Sequence, residues 1–286
     1  MALVGSSAIF LRDFRVVHHV QAQKDAGHFK RGQPIRRWSS TTCSPKKSLG
    51  TRHPRRGRAN QTLAIETVNN LWCSDSSVQQ FICMEMVVEG FGLKLTQKDL
   101  HTLVDLNWLN DEVINFYMNL LIARGISSNK YPKVHAMNTF FYPKLLSSGH
   151  SSLKRWTRKV DIFAQDLIII PIHLNVHWCM SIIDFRDKTI VYYDSMGSDN
   201  PKCLAALKLY LQDESLDKKK QPYDMSDWTF YSAKNIPQQT NGSDCGVFSC
   251  MFAEYVCASR KITFTHDDMP YFRNKMFREV INGNIV

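Results

Sequence analysis

The 286-residue sequence has no uninterrupted apolar segment that is long enough to cross a bilayer. A membrane-spanning helix needs about 18 or more consecutive apolar residues. The longest apolar run, residues 167–172, has the length of a strand and contains Pro171. The N-terminus also lacks a secretory signal. We therefore expect a protein of a reducing compartment, without a membrane span and without a disulfide framework.

Several common signature motifs are also absent. The eight cysteines include no C-x-x-C pair, which argues against a zinc ribbon and a thioredoxin-type redox site. The sequence contains neither the G-x-S-x-G motif of serine hydrolases nor a nucleotide-binding P-loop. His173 and His177 are four residues apart, but they fall in a strand pattern and no H-E-x-x-H occurs. We therefore predict no metal site and no cofactor.

Positive charge is abundant but unevenly distributed. The formal net charge of +10 at first suggests a nucleic-acid-binding protein. The first 60 residues hold 13 cationic and two acidic side chains, a net charge of +11, whereas the remaining 226 residues carry −1. Contact with nucleic acid is therefore expected only through the N-terminal segment.

The N-terminal segment, residues 1–64, is rich in Arg, Ser, Thr and Gly and shows no sustained periodicity, which predicts a disordered basic tail. Its clusters at residues 30–37 and 55–58 resemble a nuclear-import signal, so we expect a nuclear protein, present also in the cytoplasm. An Arg-rich, acid-poor N-terminus equally fits a mitochondrial presequence, with a rough amphipathic helix over residues 8–20. The folded domain should occupy residues 65–286, with ordered structure beginning between Ala64 and Phe81.

The periodicity of this domain predicts an α+β fold. Apolar spacing predicts helices that start near Thr96 and Asn110, the second ending at Gly125, and further helices over about 202–212, 245–258 and 267–281. Strands are predicted over 167–172, 176–183, 189–193 and 228–233, with residues 184–188 forming a hairpin turn. The strands cluster in the middle of the chain with helices on both sides.

Three residues could form a catalytic triad on these elements. His177 lies on a predicted strand and Asp194 at the end of the next, so a hairpin would bring the imidazole and the carboxylate to one side of the sheet. Cys245 begins a predicted helix, where free backbone N–H groups lower the pKa of a thiol. Gln239 lies just upstream and could donate to an oxyanion. The alternative is structural: a packed histidine, a turn-capping aspartate and a buried apolar cysteine.

Four segments around these residues strongly resemble the sentrin/SUMO-specific proteases, in particular the branch that contains sentrin-specific proteases 1 and 2. The segments are residues 106–117 (LNWLNDEVINFY), 171–178 (PIHLNVHW), 192–197 (YYDSMG) and 236–246 (IPQQTNGSDCG). The resemblance covers about residues 75–286, in the order and spacing of that family. The basic tail lies outside it.

The resemblance implies an adenain-like, papain-type cysteine protease fold with a central mixed sheet flanked by helices. It implies that His177 is the general base and acid, Asp194 its orienting carboxylate, Cys245 the nucleophile and Gln239 part of the oxyanion hole. The implied substrate is the C-terminal Gly-Gly of SUMO, either in a precursor or joined to a target lysine. The implied partners are SUMO and SUMO-conjugated proteins, and we expect a monomer.

The resemblance also implies substrate-binding residues. Trp108 and Trp178 resemble the aromatic lid that clamps the Gly-Gly tail and excludes larger residues. The residues in positions that contact the body of SUMO are Asp111, Phe140, Arg155 and His173. Alone, the tryptophans would be interpreted as core residues, and the others as solvated charges and one core aromatic.

Three alternative functions remain open at this level. A non-catalytic SUMO-binding module would bind SUMO conjugates without shortening them. A related enzyme would act on another ubiquitin-like protein such as NEDD8, although residues 237–246 resemble the SUMO branch more closely. The basic tail could anchor the protein to nucleic acid or to a membrane surface, and this role is compatible with a protease.

Overall fold

The computed structural model describes residues 15–19 and 85–286. The expected onset of order between Ala64 and Phe81 lies outside these residues, as does most of the predicted tail. Residues 15–19, which the composition assigned to the tail, form a strand that pairs with residues 85–89. The structure therefore places part of the N-terminal segment in a small sheet.

The described residues contain six α-helices and eight strands. The helices are α1 (Gln97–His101), α2 (Asp111–Ser127), α3 (Phe141–Ser148), α4 (Pro201–Lys219), α5 (Cys245–Cys257) and α6 (Met269–Asn282). The strands are β1 (Arg15–His19), β2 (Glu85–Gly90), β3 (Leu93–Leu95), β4 (Val134–Ala136), β5 (Leu167–His173), β6 (Trp178–Asp184), β7 (Thr189–Tyr193) and β8 (Thr229–Ser232).

The strands form two sheets. β1, β2 and β3 make a small antiparallel sheet, and β4 to β8 make a central sheet in chain order. In the central sheet β5, β6 and β7 are antiparallel, while β4 runs parallel to β5 and β8 runs parallel to β7. The predicted hairpin between β6 and β7 and the predicted mixed sheet of an α+β fold are confirmed.

Both faces of the central sheet are covered, which explains the nearly continuous apolar sequence of β5 and β6. Side chains alternate between the faces of a strand. Leu167 and Ile169 pack with α2, α5 and α6 in one core, whereas Ile168 and Ile170 pack with α3 and α4 in the other. The edge of the sheet at the end of β7 and the start of β6 remains available for a site.

The two predicted helix starts are confirmed by their caps. Thr96 and Asp99 form a capping box at α1, and the Asn110 side chain accepts the backbone N–H of Val113 at 3.1 Å at α2. The predicted end of α2 at Gly125 is wrong, because the helix continues to Ser127. Gly125 instead allows a close approach, since a Cβ there would lie 2.7 Å from the carbonyl oxygen of Pro132.

Several elements have no clear sequence signal. Helix α3 begins after Phe140, which provides no side-chain cap, and it carries Pro143 in its first turn. Strands β3 and β4 have three residues each, too few to display a period. Helix α4 extends well beyond its predicted end. The prediction stopped too early because Glu214 and Ser215 are buried polar residues that interrupt the apolar pattern. Within the described part of the chain, none of the helices is long and apolar enough to span a membrane.

Candidate active site

The β6–β7 hairpin brings the predicted imidazole and carboxylate together. His177 immediately precedes β6 and Asp194 immediately follows β7, so both lie at one edge of the sheet, although His177 belongs to the turn rather than to the strand. His177 Nε2 lies 2.7 Å from Asp194 Oδ1. The same carboxylate oxygen accepts the backbone N–H of Met196 at 2.8 Å, which fixes its orientation. The hairpin therefore forms an ordered imidazole–carboxylate pair.

This pair favours a charged imidazole. The hydrogen bond to Asp194 is the main cause that raises the pKa of His177 to about 12, followed by hydrogen bonds to the thiols of Cys179 and Cys245. Burial alone would raise the pKa of Asp194, but the hydrogen bonds from His177 and from the Met196 amide outweigh burial and lower it. At neutral pH the geometry thus holds an imidazolium against a carboxylate.

Cys245 is the first residue of α5, and its thiol interacts with the same imidazole. Cys245 is only 3% exposed and lies between Asp244 and Gly246 at the start of the helix. Burial acts to raise the pKa of the Cys245 thiol, but the hydrogen bond with His177 and the backbone amide of Trp178 outweigh it and lower the pKa. The arrangement favours a thiolate–imidazolium pair, the reactive state of a cysteine nucleophile.

A second thiol, Cys179, lies under the imidazole and was not predicted as part of the site. It is fully buried, and burial raises its pKa. The ligand atoms of His177, Cys179 and Asp194 lie within 4.8 Å of one another, a spacing that a metal ion can use. The direct hydrogen bond between His177 and Asp194 explains this cluster without a metal, so we assign it to the triad. No sequence motif marks Cys179, since it is an ordinary core position of β6.

Gln239 is tied into the same edge of the sheet. Its side-chain oxygen accepts the Ser195 hydroxyl at 2.6 Å, and its side-chain nitrogen donates to the carbonyl of Asn241 at 2.7 Å. Its backbone N–H also donates to the Ser195 carbonyl at 2.9 Å. The amide is therefore fixed in one orientation on the loop that leads to Cys245, and its second N–H is the group that an oxyanion could use.

A groove of about 340 Å³ lies beside the triad and contains five of the six predicted substrate-binding residues. They are Trp108, Asp111, Phe140, His173 and Trp178. Arg155 is outside the groove, exposed on the loop that follows α3. The side chains of Trp108 and Phe140 are 54% and 57% exposed, unusual for large aromatic residues that do not contact a partner. The geometry thus joins these residues to the triad through Trp178, the neighbour of His177.

The two tryptophans differ in their surroundings. Trp178 is buried, stacks on His173 with ring centroids 4.1 Å apart, and donates its indole N–H to the Leu109 carbonyl at 3.0 Å. This bond holds the chain segment that presents the exposed Trp108. Leu109 in turn packs directly on Gly246, where a Cβ would lie only 2.7 Å from the Leu109 Cβ. The groove wall and the start of the nucleophile helix are therefore in van der Waals contact.

Comparison with known proteins agrees with this geometry. The sequence pattern described as "Ulp1 protease family, C-terminal catalytic domain" matches residues 107–284, more than half of the chain. The chain belongs to the Ulp1 protease family. The matched range includes all the candidate triad, oxyanion and groove residues.

Relatives of this Ulp1-family chain are named as sentrin-specific proteases. A sentrin-specific protease of Caenorhabditis elegans is 48% identical over 77% of the chain and 31% of its own length. Sentrin-specific protease 2 of Rattus norvegicus is 47% identical over 71% of the chain and 34% of its own length. The chain thus spans about a third of the length of these curated relatives.

Solved structures of Ulp1 proteases share the fold. The C-terminal Ulp1 protease domain in complex with Smt3, the yeast orthologue of SUMO, has a TM-score of 0.62 and 31% identity, covering 73% of the chain and 93% of that domain. The catalytic domain of the Ulp1-like SUMO protease of Chaetomium thermophilum has a TM-score of 0.59 and 25% identity, covering 79% and 89%. The predicted family and fold class are confirmed.

Proposed function

We propose that this chain is a SUMO-specific cysteine protease that cleaves after the C-terminal Gly-Gly of SUMO. It removes SUMO from target lysines as an isopeptidase and also trims SUMO precursors. The observation that carries the proposal is the assembled site: His177 Nε2 lies 2.7 Å from Asp194, and the lowered pKa of Cys245 favours a thiolate against the same imidazole. Family membership and the relative bound to the yeast SUMO orthologue support the choice of substrate.

The proposed reaction is acyl transfer through a thioester. The Cys245 thiolate attacks the glycine carbonyl, and the tetrahedral oxyanion accepts hydrogen bonds from Gln239 and the backbone N–H at the start of α5. His177 donates its proton to the leaving lysine amine. Water then attacks the thioester with His177 as the base, which restores the thiolate and releases SUMO. Asp194 keeps the imidazole oriented throughout, as in other cysteine and serine proteases.

The groove provides the proposed selectivity for Gly-Gly. A Gly-Gly tail has no side chains to grip, so recognition depends on a narrow channel and on contacts with the folded body of SUMO. Trp178 forms the buried floor beside the base, and the exposed Trp108 is placed to close over the tail. Asp111, Phe140 and His173 line the outer part of the groove, and we assign them, with the exposed Arg155, to the body of SUMO.

A covalent probe tests this proposal. A SUMO vinyl sulfone should modify the wild-type chain at Cys245 and should leave Cys245→Ser unmodified. Parallel reactions with NEDD8 and ubiquitin probes measure the preference, which we expect to favour SUMO. A wild-type chain that binds SUMO conjugates but neither reacts with the probe nor shortens the conjugates would establish a binding module instead. Faster reaction with the NEDD8 probe would identify the related enzyme class.

The basic segment is assigned a role in location rather than in catalysis. We propose that residues 1–60 direct the protein to the nucleus, on the basis of their net charge of +11 and two clusters of arginine and lysine. A reporter fused to these residues should accumulate in nuclei, and replacement of residues 55–58 by alanine and serine should reduce this accumulation. Import into mitochondria would support the presequence interpretation. The role as an anchor would be excluded if the fusion bound DNA or anionic vesicles no better than a fusion that carries a scrambled segment.

A further inference from the structure

A buried ion pair lies directly behind the nucleophile. Arg273 on α6 and Asp244 at the start of α5 have side chains only 5% and 2% exposed. Arg273 Nη2 and Nε donate to Asp244 Oδ1 at 2.7 and 2.9 Å. Asp244 is the residue immediately before Cys245, so this pair is separated from the nucleophile by one peptide bond.

Arg273 also holds the chain segment that leads to the groove. Its guanidinium donates to the carbonyls of Thr102 at 3.2 Å and Asn107 at 2.9 Å, and to the Ser243 carbonyl at 3.3 Å. Asn107 immediately precedes Trp108. One side chain therefore fixes two segments from distant parts of the sequence, one that carries the exposed tryptophan and one that carries the nucleophile.

The same pair is connected to the rest of the triad. Asp244 Oδ2 accepts the Asn241 side-chain amide at 2.7 Å, and the Asn241 side-chain oxygen accepts the backbone N–H groups of Ser243 and Asp244. The Asn241 carbonyl accepts Gln239. Gln239 is bonded to Ser195, the residue that follows Asp194. A continuous hydrogen-bond network thus runs from Arg273 to Ser195 and includes the chain neighbours of Cys245 and Asp194.

Charge gives the pair a second consequence. A carboxylate buried beside Cys245 would oppose formation of the thiolate, because like charges at short range in a low-dielectric site repel strongly. The guanidinium neutralises Asp244 at hydrogen-bond distance. Loss of either partner leaves the other charge buried and unpaired, which is costly. The two losses should therefore move the pKa of the thiol in opposite directions.

We propose that Arg273 is a positioning residue of the active site, acting through Asp244 and the carbonyl of Asn107. It fixes the positions of Cys245 and Trp108 relative to each other, and its charge neutralises the carboxylate next to the thiolate. The contribution of Arg273 to turnover of a SUMO substrate rests on the proposed function. Its effect on the thiol itself does not, because any small thiol reagent reports it.

A second buried ion pair on the same helix supplies a matched control. Arg124 on α2 donates to Glu254 Oε1 at 2.6 Å, with side chains 10% and 2% exposed. Glu254 lies near the C-terminal end of α5, far from Cys245. Arg260 pairs with the other oxygen of Glu254, so both arginines must be replaced to leave this carboxylate unpaired. The double variant Arg124→Met/Arg260→Met should therefore destabilise the fold much as Arg273→Met does, since each leaves a buried carboxylate without an arginine partner. Only Arg273→Met should change the pH dependence of Cys245 alkylation.

The experiment measures the rate at which iodoacetamide alkylates Cys245 as a function of pH, well below the melting temperature of each variant. Mass spectrometry of the peptide that contains Cys245 gives the rate, and the midpoint is the pH at which the rate is half of its maximum. In Arg273→Met the midpoint should rise by about one pH unit or more, and in Asp244→Asn it should fall, because Arg273 is then the unpaired charge. In Arg124→Met/Arg260→Met the midpoint should stay at the wild-type value. Cleavage of SUMO by Arg273→Met should fall about 100-fold in kcat/KM, with Arg273→Lys between it and the wild type.

Two results would overturn the proposal. Equal effects of Arg273→Met and of Arg124→Met/Arg260→Met on alkylation would show that Arg273 acts only through stability. Shifts in the same direction for Arg273→Met and Asp244→Asn would remove the electrostatic argument. If Arg273→Met does not fold, Asp244→Asn and Arg273→Lys carry the test. Wild-type protein that is inactive on SUMO but shows the opposite shifts would refute the proposed function and support the role of Arg273.

Discussion

Replacement of Asp194 by asparagine separates the charge of the triad from its hydrogen bond. Asp194 Oδ1 accepts both His177 Nε2 and the Met196 amide, so the oxygen of an asparagine would remain held in the same place. The imidazole keeps its orientation and only the negative charge is lost. Papain-like proteases use an asparagine at this point in the triad. Asp194→Asn should therefore retain much more activity than Asp194→Ala, which loses both.

The expected magnitude follows from the contact. A charge at hydrogen-bond distance in a partly buried site shifts a neighbouring pKa by about one to three units. The pKa of His177, raised to about 12 in the wild type, should fall by that amount in Asp194→Asn. The reactive ion pair exists above the pKa of the thiol and below that of the imidazolium, so the alkaline limit of activity moves to lower pH. At pH 7.5 the loss should be modest, about tenfold.

The assay measures kcat/KM for cleavage of a SUMO fusion between about pH 6 and pH 11, a range that covers the expected alkaline limit of the variant. Circular dichroism at the upper end of this range checks that each protein is still folded. Asp199→Asn is the matched control, because Asp199 is exposed and pairs with Lys234 on the surface. The control should keep the wild-type profile. The reasoning is refuted if the alkaline limit of Asp194→Asn coincides with that of the wild type, or if Asp194→Asn is as inactive as Asp194→Ala.

Three further substitutions test the groove and the loop. Trp178→Phe leaves the buried Leu109 carbonyl without its donor, so it should cost about 1–3 kcal/mol of unfolding free energy, measured in urea. It should also raise KM for SUMO, and an unchanged KM would contradict the role of the groove. Gly246→Ala places a Cβ 2.7 Å from the Leu109 Cβ and should cost about 1–3 kcal/mol of unfolding free energy despite the better helix propensity of alanine. When it is combined with Leu109→Gly, which removes that Cβ, the loss should be smaller than the sum of the two single losses; strictly additive losses would point to another clash. Gln239→Ala should lower kcat about 100-fold while iodoacetamide still alkylates Cys245 normally, and a normal kcat would remove Gln239 from the oxyanion hole.

Much of the fold was predictable because its signals are local. Strand β7 was predicted at its observed bounds, and the caps at Thr96 and Asn110 were visible as polar residues before apolar periods. The short strands β3 and β4 and the helix α3 were not, since they depend on pairing and packing with distant segments. The close approach at Gly125 is likewise a tertiary contact that looks like a helix end in the sequence.

The candidate site divides in the same way. The triad and Gln239 lie in segments of distinctive composition, and the resemblance to a family predicted the role of each residue from the sequence alone. Cys179 looks like any other core residue of a buried strand. Arg273 lies 29 residues from Asp244, and nothing in the sequence between them indicates a contact. A residue whose role is to hold another in place has no signal of its own, because its partner is chosen by the fold.

The β6–β7 hairpin has a consequence for the order in which activity appears. His177 and Asp194 are 17 residues apart within one hairpin, so only a short loop has to close to unite them. Cys245 joins them only when α5 docks on the sheet, and Asp244 finds Arg273 only after α6 has been made. During synthesis from the N-terminus, the chain therefore assembles its base and carboxylate before it has a nucleophile. We therefore expect the proposed protease activity to appear only after α5 and α6 have docked on the sheet.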